Sequence, residues 1–367
     1  MNPFVNFSIR GVLSVFLAFG FLFSARALTI NVTYDASVTN IGTLAQVQTA
    51  FGAAVQTIQN LYTNAITINI KVYSAYAGPF GYVDLGESQT EFVGNPTYSQ
   101  LTNALAASRT SVADSNSVAS LPANPAETNL WWIPRAEAKA LGMSALIATN
   151  ATNADGEIGF ATTVNYTFDP NNRAVSGEYD FIGVAEHEIT EVLGRSRGLN
   201  FFITGYIPYD LFRFTAAGVR SFDPNAATAY FSIDNGLTVL KHFNPSGNGG
   251  DIQDWTDSTP PDSFDAFVYD GEELTLSAAD LTAVDILGFK LNYQLPHLNA
   301  NNAGGGNFQL NFTNTPGTSY AILASTNVSL SVSNWTALGQ TTETSAGQFK
   351  FSDSTTNKLR FYRVRLN

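Results

Sequence analysis

"GEYDFIGVAEHEITEVLGR", residues 177–195, decides how the rest of this 367-residue chain is read. Phe181, Ile182, Ala185, Ile189, Val192 and Leu193 recur at the spacing of one helical face. Asp180 has the short oxygen acceptor of an N-cap, and Gly194 suits a C-terminal stop. Residues four apart on a helix stand one turn apart on one face, so His187 and Glu191 can offer ligand atoms to a single ion. Glu188 lies one step round, within reach of a water held on that ion. The pattern is H-E-x-x-H with its second imidazole exchanged for a carboxylate: two ligands and a general base from one turn. The competing account is a buried histidine beside solvated acids, Glu186, Glu188 and Glu191. The apolar, capped setting favours the ion.

Exchanging an imidazole for a carboxylate changes the chemistry. Two anionic ligands neutralise a divalent ion, so water bound there is less acidic than under three histidines. A carboxylate-rich site also relaxes selectivity toward harder ions such as Mn2+ or Ca2+. Zinc affinity is therefore expected to be weaker than at an all-imidazole site. The chain has no cysteine, which excludes disulfides and thiolate ligands and leaves histidine, carboxylate and carbonyl groups. Eighteen Lys and Arg stand against thirty Asp and Glu, a formal charge of −12. That balance argues against a nucleic-acid partner or an anionic membrane held by bulk charge.

Outward from this helix the chain divides readily. Arg10, the apolar run "GVLSVFLAFGFLF" (11–23) and "ARA" (25–27) read as a removable secretory signal peptide over residues 1–27, followed by a secreted mature chain. "LTINVTYDASV" (28–38) and "AITINIKVYSAY" (65–76) read as strands, and residues 43–64 between them as a helix. A second helix is expected over 97–108, several short strands over 141–168, and a short helix over 277–289. Residues 200–275 are irregular, rich in Gly, Asp and aromatics. "LNANNAGGG" (298–306) reads as a linker. Beyond it, residues 307–367 contain five strand candidates and suggest a small β-sandwich-like module. The fold class is therefore α+β, with an all-β C-terminal module.

With those segments in view, "YDFIGVAEHEITEVLGR" (179–195) resembles the active-site helix of exported bacterial metallopeptidases of the zincin type. The likeness continues through "LGES" (85–88), "DGEIGF" (155–160), "YDLFRFTAAGVRSF" (209–222), "FNPSGNGGDIQDW" (243–255) and "DLTAVDILGF" (280–289). It implies a zincin-like metallopeptidase domain over residues 28–297, with a mixed sheet above the active-site helix. Such chains carry either H-E-x-x-H or H-E-x-x-E at this place. In the longer metzincin pattern Gly194 aligns, but the last ligand falls on Arg197, and a guanidinium does not ligate zinc. The third ligand is then expected elsewhere: Asp210 first, His242 as runner-up, with His297 structural. Tyr206 and Tyr209 are candidates for a phenolic donor to an oxyanion, weighed against a place in the aromatic core. The C-terminal module resembles small β units at the ends of exported bacterial proteins, which implies association with a cell surface.

The resulting expectation is a secreted zinc endopeptidase acting on protein or peptide substrates, with Glu188 as catalytic base and His187, Glu191 and Asp210 as ligands. The alternative is a non-catalytic secreted surface or binding protein on a degenerate zincin scaffold. The acidic loop 247–267, with Asp251, Asp254, Asp257, Asp262 and Asp265, offers the oxygen ligands of a Ca2+ site without its complete spacing.

Overall fold

The computed structural model describes residues 28–123, 130–147, 153–196, 198–199, 205–256, 258–292, 299–304, 307–313, 319–327, 335–345, 348–354 and 360–366. The expected signal peptide, Arg197 and His297 lie outside them. Among the described residues no helix is long and apolar enough to cross a membrane.

The first three expected elements form a β-α-β unit. Strand β1 (Thr29–Tyr34) leads into helix α1 (Leu44–Leu61) and then β2 (Thr67–Ser74). Thr43 and Gln46 cap α1 reciprocally, which fixes where it starts. The strands pair in parallel from Thr29 opposite Thr67 to Tyr34 opposite Val72. After β3 (Gly86–Thr90) come α2 (Tyr98–Ser108), α3 (Val112–Ala119), α4 (Arg135–Ala140) and α5 (Ser144–Ile147). Strand β4 (Gly156–Phe160) then pairs in parallel with β2 and antiparallel with β3. The order β1-β2-β4-β3 makes a mixed sheet, with β3 at one edge. Residues 28–74 thus belong to the same sheet as the strands beside the site.

Two-residue strands β5 (Tyr166–Thr167) and β6 (Tyr179–Asp180) lead into helix α6 (Phe181–Leu193), the opening stretch. Asp180 accepts from the Ile182 amide and caps α6, while Gly194 ends it at φ 136°, a conformation that favours glycine. Every residue of α6 except His187 is buried, so the apolar positions hold the helix against the sheet on one side and α1 on the other. Phe181 packs on Phe160 of β4 with ring centroids 4.4 Å apart. Burying one such side chain contributes about 1.5–3 kcal/mol.

The irregular region resolves into β7 (Arg213–Ala216), β8 (Val219–Arg220), β9 (Tyr230–Phe231) and β10 (Lys241–His242), a small sheet of order β10-β9-β7-β8. Helix α7 (Ala278–Asp285) follows, inside the expected span. Residues 144–147, expected to be extended, form α5 instead.

The C-terminal residues build two sheets. One runs through β11 (Asn299–Gly304), β12 (Asn307–Thr313), β16 (Gln348–Ser354) and β15 (Thr342–Ser345). The other contains β14 (Thr336–Gln340), β13 (Tyr320–Ser325) and β17 (Phe361–Leu366). Leu310, Phe312, Tyr320, Ile322 and Phe349 form a core shared by both sheets, as a sandwich requires. Strand β11 falls inside the stretch read as a linker. Its pairing with β12 uses backbone groups, which Asn and Gly supply as well as any residue.

One buried acid bears on stability. Glu137 of α4 is fully buried beside Gly194, and neither carboxyl oxygen has a hydrogen-bond partner. Burial pushes its pKa well above the ordinary 4.5. A group whose folded pKa is raised contributes its stability fully below its unfolded pKa and loses it as pH rises toward the folded one. The loss is about 1.4 kcal/mol per pH unit in that window. Glu137→Gln is therefore expected to melt higher than wild type at pH 7, with the difference vanishing near pH 4. A melting series across that range checks it. Equal melting at pH 7 would contradict a neutral buried carboxyl.

Candidate metal centre

Helix α6 presents His187, Glu188 and Glu191 to a cleft of about 820 Å³. Strand β3 forms one wall, and segments 249–254 and 263–268 line the other side. The approach of β3 is close: a Cβ on Gly86 would stand 2.5 Å from Glu188 Oε1 and 2.8 Å from Val184. Glycine at 86 is what lets the edge strand lie over the helix.

His187 Nδ1 lies 2.8 Å from the Ser263 carbonyl oxygen. A carbonyl only accepts, so Nδ1 carries its proton toward Ser263, and Nε2 is the nitrogen left to face the cleft. It stands 3.6 Å from Glu191 Oε1 and 3.6 Å from Asp254 Oδ1. Among the described residues, His187, Glu191 and Asp254 are the one group offering three ligand atoms, all within 4.8 Å of one another.

Each carboxylate is held. Ser88 of β3 donates to Glu191 Oε2 at 2.7 Å, and Gln253 Nε2 donates to Glu191 Oε1 at 3.0 Å. Asp254 is placed by its neighbour Trp255, which is fully buried and donates from Nε1 to Asp280 at 2.7 Å. Arg195 follows directly on the turn at Gly194 and folds back beneath the helix end. Its Nη1 pairs with Asp254 Oδ1, its Nη2 donates to the His187 carbonyl at 3.3 Å, and its guanidinium lies 4.1 Å over the Phe264 ring.

These contacts set the charges. Burial raises the Asp254 pKa to about 6, although His187 and Arg195 pull against it. Burial also opposes ionised Glu191, but His187 and Arg195 outweigh it and bring the pKa to about 2. For His187, burial and Arg195 push the pKa down, yet Asp254, Glu191 and Glu188 prevail and raise it to about 9. Without an ion, then, an imidazolium and a guanidinium balance two carboxylates. Glu188 differs: burial, then Glu191, raises it well above the ordinary range, and its Oε2 is buried with no partner.

Asp210 is not brought to this cluster. It occupies a short 3-10 turn (Pro208–Phe212), where its carboxylate accepts from the Ile207 amide at 2.9 Å and Arg213 lies near. Burial raises its pKa to about 7. His242 is exposed on β10, its ring edge against Tyr230. Tyr209 is buried among Phe231 and Phe243, and Tyr206 packs between Trp131 and Phe222; neither lines the cleft. Of the acidic loop, Asp262 pairs with Lys241 at 2.9 Å and Asp265 accepts from Ser258. Those two are spent on structure, and Asp257 lies outside the described residues. Asp254 was visible as an acid in that loop, but only its distance from His187 separates it from its neighbours.

Comparison with protein-family models, with curated proteins and with solved structures finds no match for this chain. The site's own geometry therefore carries the functional argument.

Proposed function

We propose that this chain is a secreted, metal-dependent endopeptidase of zincin-like type, with His187, Glu191 and Asp254 as ligands and Glu188 as the base. The observation that supports it is the orientation of His187: its Nδ1 is committed to the Ser263 carbonyl, so Nε2 faces two carboxylate oxygens at 3.6 Å each. Ligating histidines characteristically commit the other ring nitrogen in this way. One nitrogen and two oxygens suit zinc or a harder divalent ion. Such an ion supplies Lewis-acid polarisation and a more acidic water.

The chain's own groups supply the rest. Glu188 shares the cleft with the three ligands, and its unpartnered Oε2 is the acceptor that takes a proton from water. Burial, then Glu191, favours the protonated form of that carboxyl while the site holds only side chains; a cation beside it favours the ionised, basic form. Ser88 and Gln253 fix Glu191, and the open cleft along edge strand β3 admits an extended peptide. The C-terminal sandwich fits a surface-attachment role.

Ion binding must displace the His187 proton, since the imidazolium pKa is about 9. Zn2+ titration of the purified mature protein at pH 7 is expected to show one site, with proton release from both His187 and Glu188. His187→Ala should abolish the binding and the release. Binding that is absent in wild type, or unchanged in His187→Ala, would sink the proposal. One observation favours the second reading, a non-catalytic secreted binding protein: Arg195 already neutralises the ligand oxygens. Full ion occupancy without hydrolysis of unfolded protein substrates would support it.

A further inference from the structure

Arg195 is fully buried, and its position is unusually specific. The oxygen it pairs with, Asp254 Oδ1, is the same atom that faces His187 Nε2. Its Nη2 is 3.7 Å from Glu191 Oε1, again the atom that faces His187. The same nitrogen donates to the His187 carbonyl, and Nε donates to Thr190 Oγ1 at 3.3 Å. One guanidinium thus touches all three members of the proposed ligand set. A carboxylate oxygen has more than one lone pair, so it can accept from a guanidinium and still face an ion.

The charge count gives this contact a purpose. A divalent ion with one imidazole and two carboxylates is neutral as a unit. With two imidazoles and one carboxylate the unit keeps one positive charge. A guanidinium on the same oxygens restores that charge, and arginine does so at every accessible pH. We infer that Arg195 is a charge-setting residue of the metal centre, lying on the ligand oxygens of Asp254 and Glu191 and returning the positive charge that a glutamate in place of the second H-E-x-x-H histidine removes. The inference rests on the metal-centre reading above.

The test combines Zn2+ titration calorimetry over a range of pH with the pH profile of hydrolysis, for wild type, R195K and R195M. Affinities are compared after extrapolation to deprotonated His187, Asp254 and Glu191. Removing a fixed cation beside the ion should tighten Zn2+ binding in R195M by at least about tenfold. Its acidic limb of activity should move up by at least about one pH unit, because the unit has lost its positive charge. R195K keeps a positive charge beside the ligand oxygens without the guanidinium's fork, so its affinity should stay nearer wild type than that of R195M, with its limb in place. A folded R195M with unchanged or weaker affinity, or with an unmoved limb, overturns the inference. If circular dichroism shows R195M unfolded, R195K decides: a change of more than about tenfold in affinity overturns it. Wild type and R195M both failing to bind Zn2+ would remove the metal centre itself. R195M binding where wild type does not would make Arg195 the ion's replacement, contrary to the inference.

Discussion

Glu188→Gln is expected to lower peptide hydrolysis by at least about a hundredfold while leaving ion affinity within a fewfold. The substitution keeps the side chain's shape and removes only its capacity to accept a proton. It should not unfold the chain, for a physical reason. Glu188 is buried, its Oε2 has no partner, and burial together with Glu191 keeps the carboxyl protonated. A neutral amide in that place avoids the cost of protonating, on folding, a group that is ionised in the unfolded chain, and adds no bulk against Gly86. Thermal melting of the variant should match or exceed wild type, so that lost turnover cannot be blamed on lost fold. Hydrolysis of a fluorescent unfolded protein substrate is the readout. Activity that survives this change cannot use Glu188 as its base.

Asp254→Ala is the second large effect, and it separates the two candidate third ligands. The substitution leaves Arg195 fully buried without its nearer ion-pair partner, keeping only Glu191 at 3.7 Å. Removing one partner of a buried pair typically costs about 3–5 kcal/mol, and denaturant unfolding of the ion-free protein measures it. The ion site should vanish as well. Asp210→Ala loses a local cap on the Ile207 amide, a cost of about 1 kcal/mol, and should keep the ion. The reverse outcome, with Asp210→Ala losing the ion and Asp254→Ala keeping it, would return the third ligand to the 208–212 turn.

Helix α6 was legible in the sequence because everything that defines it is local: the apolar period, the Asp180 cap, the Gly194 stop and the i, i+4 pair. The same holds for α1, with its apolar helical period, and for strands β1 and β2. Asp254 was not legible as a ligand. It stands 63 residues after Glu191, in a segment without periodicity, and the burial of Trp255 is what delivers it. Asp210 attracted attention as an acid in a resembling segment. Yet Pro208 followed by an acid at the third position of a turn is itself a local capping pattern. Strand β3, "GESQT", is polar on both faces and sits at a sheet edge, so it shows no apolar alternation for a period argument to find. Arg195 carried no signal except its place after Gly194, because its role depends on the reversal there.

The indole of Trp255 has a consequence for how the site is assembled. Two proposed ligands ride on one rigid helix, but the third, Asp254, is placed only when the neighbouring indole is seated among Phe243, Phe231 and Phe264. If the cluster holds an ion, seating the segment and gripping that ion are two faces of one equilibrium, and each strengthens the other by the same free energy. A chain of this design would be most open to damage before its cargo of metal arrives, and would harden at the moment it became competent to act.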